Sequence, residues 1–155
     1  MYVLRYLTCL DFKNAREIFY DFFDSEERTN FHNSWRARER VRSVGLFTQE
    51  GDLLGFTLVS ANILNYILVE RDEQGKGLGS VLLQYILQIT IKRRKSLSLT
   101  PVNAPRLIQW YKSHGFKEEL EAESNVPGVL FRVLNFHSYS TRAHAKALSK
   151  YANSY

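Results

Sequence analysis

Between Ser43 and Ile89 the chain carries three β-forming segments in succession, then a glycine-rich turn, then one long amphipathic helix. The sequence "QEGD" between the first two segments predicts a β-hairpin, since Gly is favoured where a tight turn needs positive φ. The helix is predicted because apolar residues recur at its i, i+3, i+4 and i+7 positions. The predicted strands are Ser43–Thr48, Leu53–Ser60 and Ile63–Val69, and the apolar helix positions are Leu78, Val81, Leu82, Tyr85, Ile86 and Ile89.

Shorter segments on either side complete a mixed α+β pattern. Before Ser43 we predict a strand, a helix with an apolar face from Ala15 to Phe23, and a second, strongly basic helix. The whole order predicts one mixed sheet with helices on both faces. The remaining predicted elements are a strand at Tyr2–Leu10, a helix at Asn33–Arg42, a strand at Ser96–Thr100, a helix at Asn103–His114, and strands at Phe116–Leu120 and Val129–Phe136.

The length and the end of the sequence indicate one domain with a basic tail. A chain of 155 residues suits a single core, which we predict to span residues 1–136. The stretch 137–155 contains Arg142, Lys146 and Lys150 but no acid. Its Ser, Thr and Ala content predicts a short appended helix or a mobile end.

Composition excludes several classes of protein and favours an anionic partner. The formal net charge of +5 favours a nucleic acid or a phosphorylated ligand. Cys9 is the only cysteine, so neither an internal disulfide nor a Cys-rich zinc site is possible. The four histidines lack HExxH spacing, and we expect no metal. Gln84 and Gln88 interrupt the most apolar helix, and no signal peptide is visible, so we expect a cytoplasmic protein without a membrane span.

The turn "ERDEQGKGLGS" excludes two of the familiar glycine loops. A P-loop needs GxxxxGK[ST], whereas Glu70 stands where its first glycine belongs. A dinucleotide fold needs GxGxxG and an acid about 20 residues later, but from Gln74 to Lys117 there is no Asp or Glu. Two interpretations stay open for this basic, acid-free stretch. It is either a solvated surface or the surroundings of an anion bound at the helix N-terminus.

Two segments resemble the GCN5-related N-acetyltransferase (GNAT) superfamily. "QGKGLG", Gln74 to Gly79, is similar to the family signature Q/R-x-x-G-x-G/A. "LSLTPVNAPRLIQWYKSHGF", Leu97 to Phe116, resembles the family's fifth strand, an Asn, and a helix ending in Tyr before "GF". The resemblance implies a mostly antiparallel mixed sheet that is splayed between strands 4 and 5, and an enzyme that uses acetyl-coenzyme A (acetyl-CoA).

The resemblance also implies site residues. Tyr111 matches the tyrosine that protonates the leaving thiolate, although an aromatic core role is the alternative. Asn103 matches an Asn that bonds the cofactor, with a helix N-cap as the equal alternative. The strand backbone would pair with the pantetheine arm, and the turn would hold the pyrophosphate. The cofactor-binding residues so implied are Ile67, Leu68, Val69, Gln74, Gly75, Lys76, Gly77, Leu78, Gly79, Ser80 and Asn103.

The sequence departs from the family at the general base, because Ile63 and Ser98 stand where members often carry Glu. We therefore keep two functions open. One is an N-acetyltransferase acting on a primary amine, as monomer or homodimer. The basic run Arg36–Arg42 then favours an acidic protein or an RNA-linked amine as acceptor. The other is a GNAT-like module that binds coenzyme A or nucleic acid without turnover.

Overall fold

A computed structural model describes residues 1–101, 104–118 and 131–132. In chain order the elements alternate as the sequence predicts: strand, two helices, three strands, helix, strand, helix, two strands. They are β1 (Tyr2–Tyr6), α1 (Phe12–Tyr20), α2 (Arg28–Arg36), β2 (Val44–Thr48), β3 (Leu53–Ser60), β4 (Ile63–Val69), α3 (Leu78–Lys92), β5 (Ser98–Leu99), α4 (Pro105–Ser113), β6 (Lys117–Glu118) and β7 (Phe131–Arg132).

The strands form one mixed sheet in the order β1-β2-β3-β4-β5-β7-β6. Every neighbouring pair is antiparallel except β4 and β5, which run parallel. The β2–β3 hairpin turns at Gly51, whose φ is +95°. The β3–β4 hairpin turns through Ala61 and Asn62, both at positive φ, as in a type I′ turn. The predicted α+β fold class is confirmed.

Two hydrophobic clusters cover the two faces of this sheet. One packs α3 and α4 against inward residues such as Val44, Leu46 and Ile67. The other packs α1 and α2 against residues such as Phe56 and Leu68. Because side chains alternate along a strand, adjacent residues of β4 contribute to opposite clusters. Helices therefore lie on both faces.

The second helix differs from its prediction at Asn33–Arg42. It occupies Arg28–Arg36, because Phe31 and Trp35, four residues apart, are its buried residues. It ends at Arg36 because the chain then joins the sheet: the amide of Glu39 donates to the carbonyl of Val59 at 2.6 Å. The dense charge of this segment hid a short apolar face.

The first strand is also shorter than its prediction at Tyr2–Leu10. It ends at Tyr6, since Asp11 then binds the Thr8 amide at 2.8 Å and folds the chain into a turn. Two further predicted elements are also longer than the observed ones. The strand predicted at Ser96–Thr100 is β5, and the helix predicted at Asn103–His114 is α4. The predicted tail from His137, and most of the predicted last strand, lie outside the described residues.

Candidate active site

The glycine turn between β4 and α3 presents a row of backbone amides. Gly75 and Gly77 have φ values of +83° and +79°, a region that side-chain-bearing residues enter at a cost. Gly77 is the N-cap of α3, and the first helical hydrogen bond runs from the amide of Val81 to the Gly77 carbonyl at 3.1 Å. Within the described part of the chain, no acceptor meets the amides of residues 75–80. This is the arrangement that binds an anion at a helix N-terminus.

Two side chains of this turn, Gln74 and Lys76, make hydrogen bonds that stabilise it. Gln74 donates through Nε2 to the Val69 carbonyl at 3.2 Å, which ties the turn to the end of β4. Lys76 is exposed and places Nζ 2.8 Å from Oε2 of Glu73, and this hydrogen bond raises the pKa of Lys76. A cation therefore stands at the turn, paired with an acid on its own loop.

The first turn of α3 offers its backbone and buries its side chains. Leu78, Gly79 and Ser80 are all buried. The hydroxyl of Ser80 accepts a hydrogen bond from the Trp110 indole at 3.2 Å. These three residues lie at the start of α3, where the sequence predicts them, and their role in binding a cofactor stays a prediction.

A cleft separates β4 from β5. Among the described residues the two strands share a single register pair, Ile63 with Ser98, at one end. Beyond it the strands diverge and leave a cleft of about 130 Å³. It is lined by Ile67 and Leu68 of β4, by Pro101, and by Tyr111 of α4. The splay between strands 4 and 5 is thus confirmed.

Tyr111 belongs to both the core and the cleft. Its side chain is 6% exposed and packs edge-on against Trp110 and Phe116, with ring centroids 4.9 Å and 5.7 Å away. It also lines the cleft opposite β4. The two alternatives from the sequence therefore coexist in geometry. Asn103 lies outside the described residues.

The cleft also reaches the α1/α2 face of the sheet. Phe23 and Tyr66 line it there, with ring centroids 5.9 Å apart and planes at 81°. Burial raises the pKa of Tyr66, and the charge of Glu27 raises it further. The connection between α1 and α2, "DFFDSEE" from Asp21 to Glu27, contains four acids and no base. Neither the hydrophobic periodicity nor the family motifs mark this acidic stretch.

None of the residues in the basic run from Arg36 to Arg42 lines this cleft. Arg38 stacks on Trp35 at 4.6 Å, and Arg40 stacks on Tyr6 at 5.3 Å. Tyr6 belongs to β1, three strands away from the β4–β5 cleft. Arg42 is buried inside the protein. The run is therefore neither one helix nor a wall of the cleft.

No acid and no histidine line the cleft among the described residues. His114 is fully buried and packs edge-on against Trp110, with ring centroids 5.0 Å apart. Glu70 faces a separate hollow of about 580 Å³ that it shares with Asp52 and Glu73. Burial raises the pKa of Glu70, as do the charges of its acidic neighbours.

Comparison with known proteins identifies the family. The sequence profile described as "Acetyltransferase (GNAT) domain" matches residues 33–118, which hold the glycine turn, Tyr111 and every described residue of the cleft except Phe23. The chain belongs to the GNAT acetyltransferase family. No curated protein matches it in sequence. Among the described residues, no helix has the length and apolarity to cross a membrane, and no group of three His, Cys, Asp or Glu could hold a metal.

Solved structures agree with this GNAT assignment. The ribosomal-protein-S18-alanine N-acetyltransferase from Escherichia coli is 25% identical, with a TM-score of 0.64, and the match covers 85% of this chain and 91% of that one. A GNAT-family acetyltransferase from Staphylococcus aureus Mu50 is 10% identical, with a TM-score of 0.68 over 85% and 98%. The PaiA N-acetyltransferase from Thermoplasma acidophilum, solved with coenzyme A, is 18% identical, with a TM-score of 0.59 over 85% and 98%.

Proposed function

We propose that this GNAT protein is an N-acetyltransferase that moves an acetyl group from acetyl-CoA to a primary amine of a protein. The observation that carries the proposal is the run of six amides at residues 75–80, for which the described part of the chain provides no acceptor, beside a cleft that contains Tyr111. An anion-binding turn and a buried phenol at one cleft suit a thioester carried on a pyrophosphate-containing ligand.

In this proposal the amides of residues 75–80 bind the pyrophosphate, and Lys76 adds positive charge at the mouth. The arm of the ligand lies along β4 at residues 67–69, where an extended chain adds to the splayed strand by backbone hydrogen bonds. Gln74 supports the turn through its bond to Val69. Asn103 is the further residue that we propose to contact the arm.

The reaction that we propose has no covalent enzyme intermediate. The neutral amine attacks the thioester carbonyl carbon, the N–C bond forms and the C–S bond breaks. The departing thiolate takes the phenolic proton of Tyr111, since a bare thiolate in a largely apolar cleft is costly. The amine nitrogen loses its proton to water, and solvent returns a proton to the phenolate. Water fills the role of base because the described residues of the cleft include no acid or histidine.

The amine acceptor is proposed to approach from the α1/α2 face, at Phe23 and Tyr66. The E. coli structural relative is named for an alanine of a ribosomal protein, which supports a protein amine here. The sequence alone favoured an acidic protein or an RNA-linked amine, because of the basic run. That basis is weakened, since Arg40 stacks at the far edge of the sheet and Arg42 is buried. The acids from Asp21 to Glu27 favour a cationic peptide instead.

The alternative, a module that binds coenzyme A without turnover, is supported by Ile63 and Ser98, because neither of these strand positions carries a carboxylate. Thiol release from acetyl-CoA in the presence of basic, acidic and small-amine acceptors separates the two functions. Acceptor-dependent release, matched by an acetyl group on the acceptor, supports the enzyme. Binding of coenzyme A without release supports the module, and no binding contradicts both.

A further inference from the structure

Arg42 is a buried side chain near the closed end of the cleft that is fully hydrogen-bonded. It is 1% exposed, and its guanidinium makes five hydrogen bonds, as many as it has N–H groups. Two go to the Glu39 carboxylate, at 2.7 Å and 2.8 Å. The others go to the Asn62 Oδ1 at 2.6 Å, the Ser96 carbonyl at 2.8 Å and the Thr90 hydroxyl at 3.2 Å. None of these partners except Glu39 is close in sequence.

The partners converge on the closed end of the cleft. Asn62 belongs to the turn that starts β4, and Ser96 lies two residues before β5. Asn62 also accepts the Ser98 amide through its backbone carbonyl, at 2.9 Å. The only described register pair between the two strands, Ile63 with Ser98, stands directly beside these bonds. Arg42 thus hydrogen-bonds both to Asn62, which precedes β4, and to Ser96, which precedes β5.

We infer that Arg42 is a positioning residue that sets the spacing and direction of β4 relative to β5, and so the width of the cleft. One register pair cannot fix the angle between two diverging strands. The planar guanidinium of Arg42 can do so, because it is bonded to the residues that precede each strand. The inference rests on the proposed function, because the width matters only if a thioester arm lies between the strands. Arg42 touches no part of that ligand and acts through Asn62 and Ser96.

A lysine cannot take this role. Its ammonium keeps the charge, but it is a single point with a flexible stem and cannot bond Glu39, Asn62 and Ser96 in one plane. The anion-binding turn lies at the other end of β4, beyond Val69. Loss of the fork should therefore disturb the arm of the ligand and spare its phosphates.

The sharpest test uses the β3–β4 turn. Asn62→Gly removes the amide that Arg42 holds and keeps the positive φ of 62° accessible, since Gly enters that region freely. Ala61→Gly is the matched control, with the same backbone freedom one residue earlier at φ 51°. Arg42→Lys is the second variant. For each, we would measure kcat, the affinity for coenzyme A, and the affinity for 3′-phosphoadenosine 5′-diphosphate, which keeps the pyrophosphate but has no pantetheine arm.

The inference expects Asn62→Gly and Arg42→Lys to bind coenzyme A about ten-fold more weakly, and to lose about ten-fold in kcat, with diphosphate affinity unchanged. Ala61→Gly should match the wild type. Equal losses for both ligands would mean a general structural role and would overturn the inference, as would wild-type values in a folded Asn62→Gly protein. A wild type that binds no coenzyme A contradicts the proposed function itself, whatever the variants do.

Discussion

The Ser80 hydroxyl accepts the Trp110 indole N–H at 3.2 Å inside the core, which joins the first turn of α3 to α4. Trp110 precedes Tyr111, so this bond links the glycine turn to the helix that carries the candidate acid. Ser80→Ala should lower the free energy of unfolding by about 1 kcal/mol, the net value of one buried hydrogen bond. Affinity for coenzyme A should stay unchanged, because the Ser80 hydroxyl is buried and bonded to Trp110. Denaturant unfolding and calorimetry measure both, and a large loss of affinity would contradict this division of roles. Ser113→Ala, which removes a bond to the Trp110 carbonyl, is the control.

Substitution of Gly77 tests whether the backbone amides of residues 75–80 bind an anion. Gly77→Asp should abolish coenzyme A binding, because it adds a negative charge and a side chain where the pyrophosphate is proposed to lie. Gly77→Asn is the matched control: it is nearly the same size, tolerates the left-handed region equally well, and carries no charge. Calorimetric titration should rank wild type above Asn and Asn above Asp. Undiminished affinity in the Asp variant would place the anion elsewhere.

Tyr111→Phe keeps the ring that packs on Trp110 and Phe116 and removes only the hydroxyl group, which would supply the proton. We expect kcat to fall about 100-fold, with the affinity for acetyl-CoA nearly unchanged. The alkaline limb of the rate profile should also move, because it reports loss of that proton. Tyr66→Phe, at the other phenol of the cleft, is the control and should retain more activity. Wild-type kcat in a folded Tyr111→Phe protein would reduce Tyr111 to a core residue.

How far the sequence could predict these features depends on the range of the interactions. The β2–β4 strands and α3 follow from periodicities within a few residues. The predicted bounds of β3 (53–60) and β4 (63–69) are therefore confirmed, and β2 (44–48) begins one residue later than its prediction. The family resemblance predicts roles for the turn and for Tyr111 because each lies in a contiguous motif, and these roles stay predictions. The sequence predicts Arg42 at the end of a basic helix that favours an acidic acceptor, and this placement is wrong, because Arg42 is buried through contacts such as its bond to a carbonyl 54 residues later in the chain. No local pattern marks such a contact.

The charge of the acceptor can be tested with matched peptides. If the amine approaches past Asp24 and Glu27, lysine-rich peptides should show a lower KM than acidic ones, and added salt should raise it. Asp24→Asn with Glu27→Gln should raise the peptide KM about three-fold or more and leave that of acetyl-CoA unchanged. Arg36→Gln with Arg40→Gln is the control that tests the earlier, basic alternative. A rise in KM in that variant alone would restore an acidic protein or RNA as the acceptor.

Stability should depend on pH through Glu39. The hydrogen bonds from Arg42 lower the pKa of Glu39 below its ordinary 4.5, although burial opposes them. A lowered folded pKa gives stability that is present above 4.5 and is lost as the pH falls through the folded value. Glu39→Gln should therefore flatten the fall in melting temperature between about pH 5 and 3. Glu26→Gln, at an exposed acid, should leave the slope unchanged. Identical slopes for wild type and Glu39→Gln would contradict the linkage.

The cleft between β4 and β5 touches both faces of the sheet, with Tyr111 on one side and Phe23 and Tyr66 on the other. In the proposed reaction the donor and the acceptor therefore arrive by separate routes. Neither ligand has to leave before the other enters, so the enzyme can hold both at once. The kinetics should be those of a ternary complex, with intersecting reciprocal plots. The acetyl group would then cross from one face of the sheet to the other.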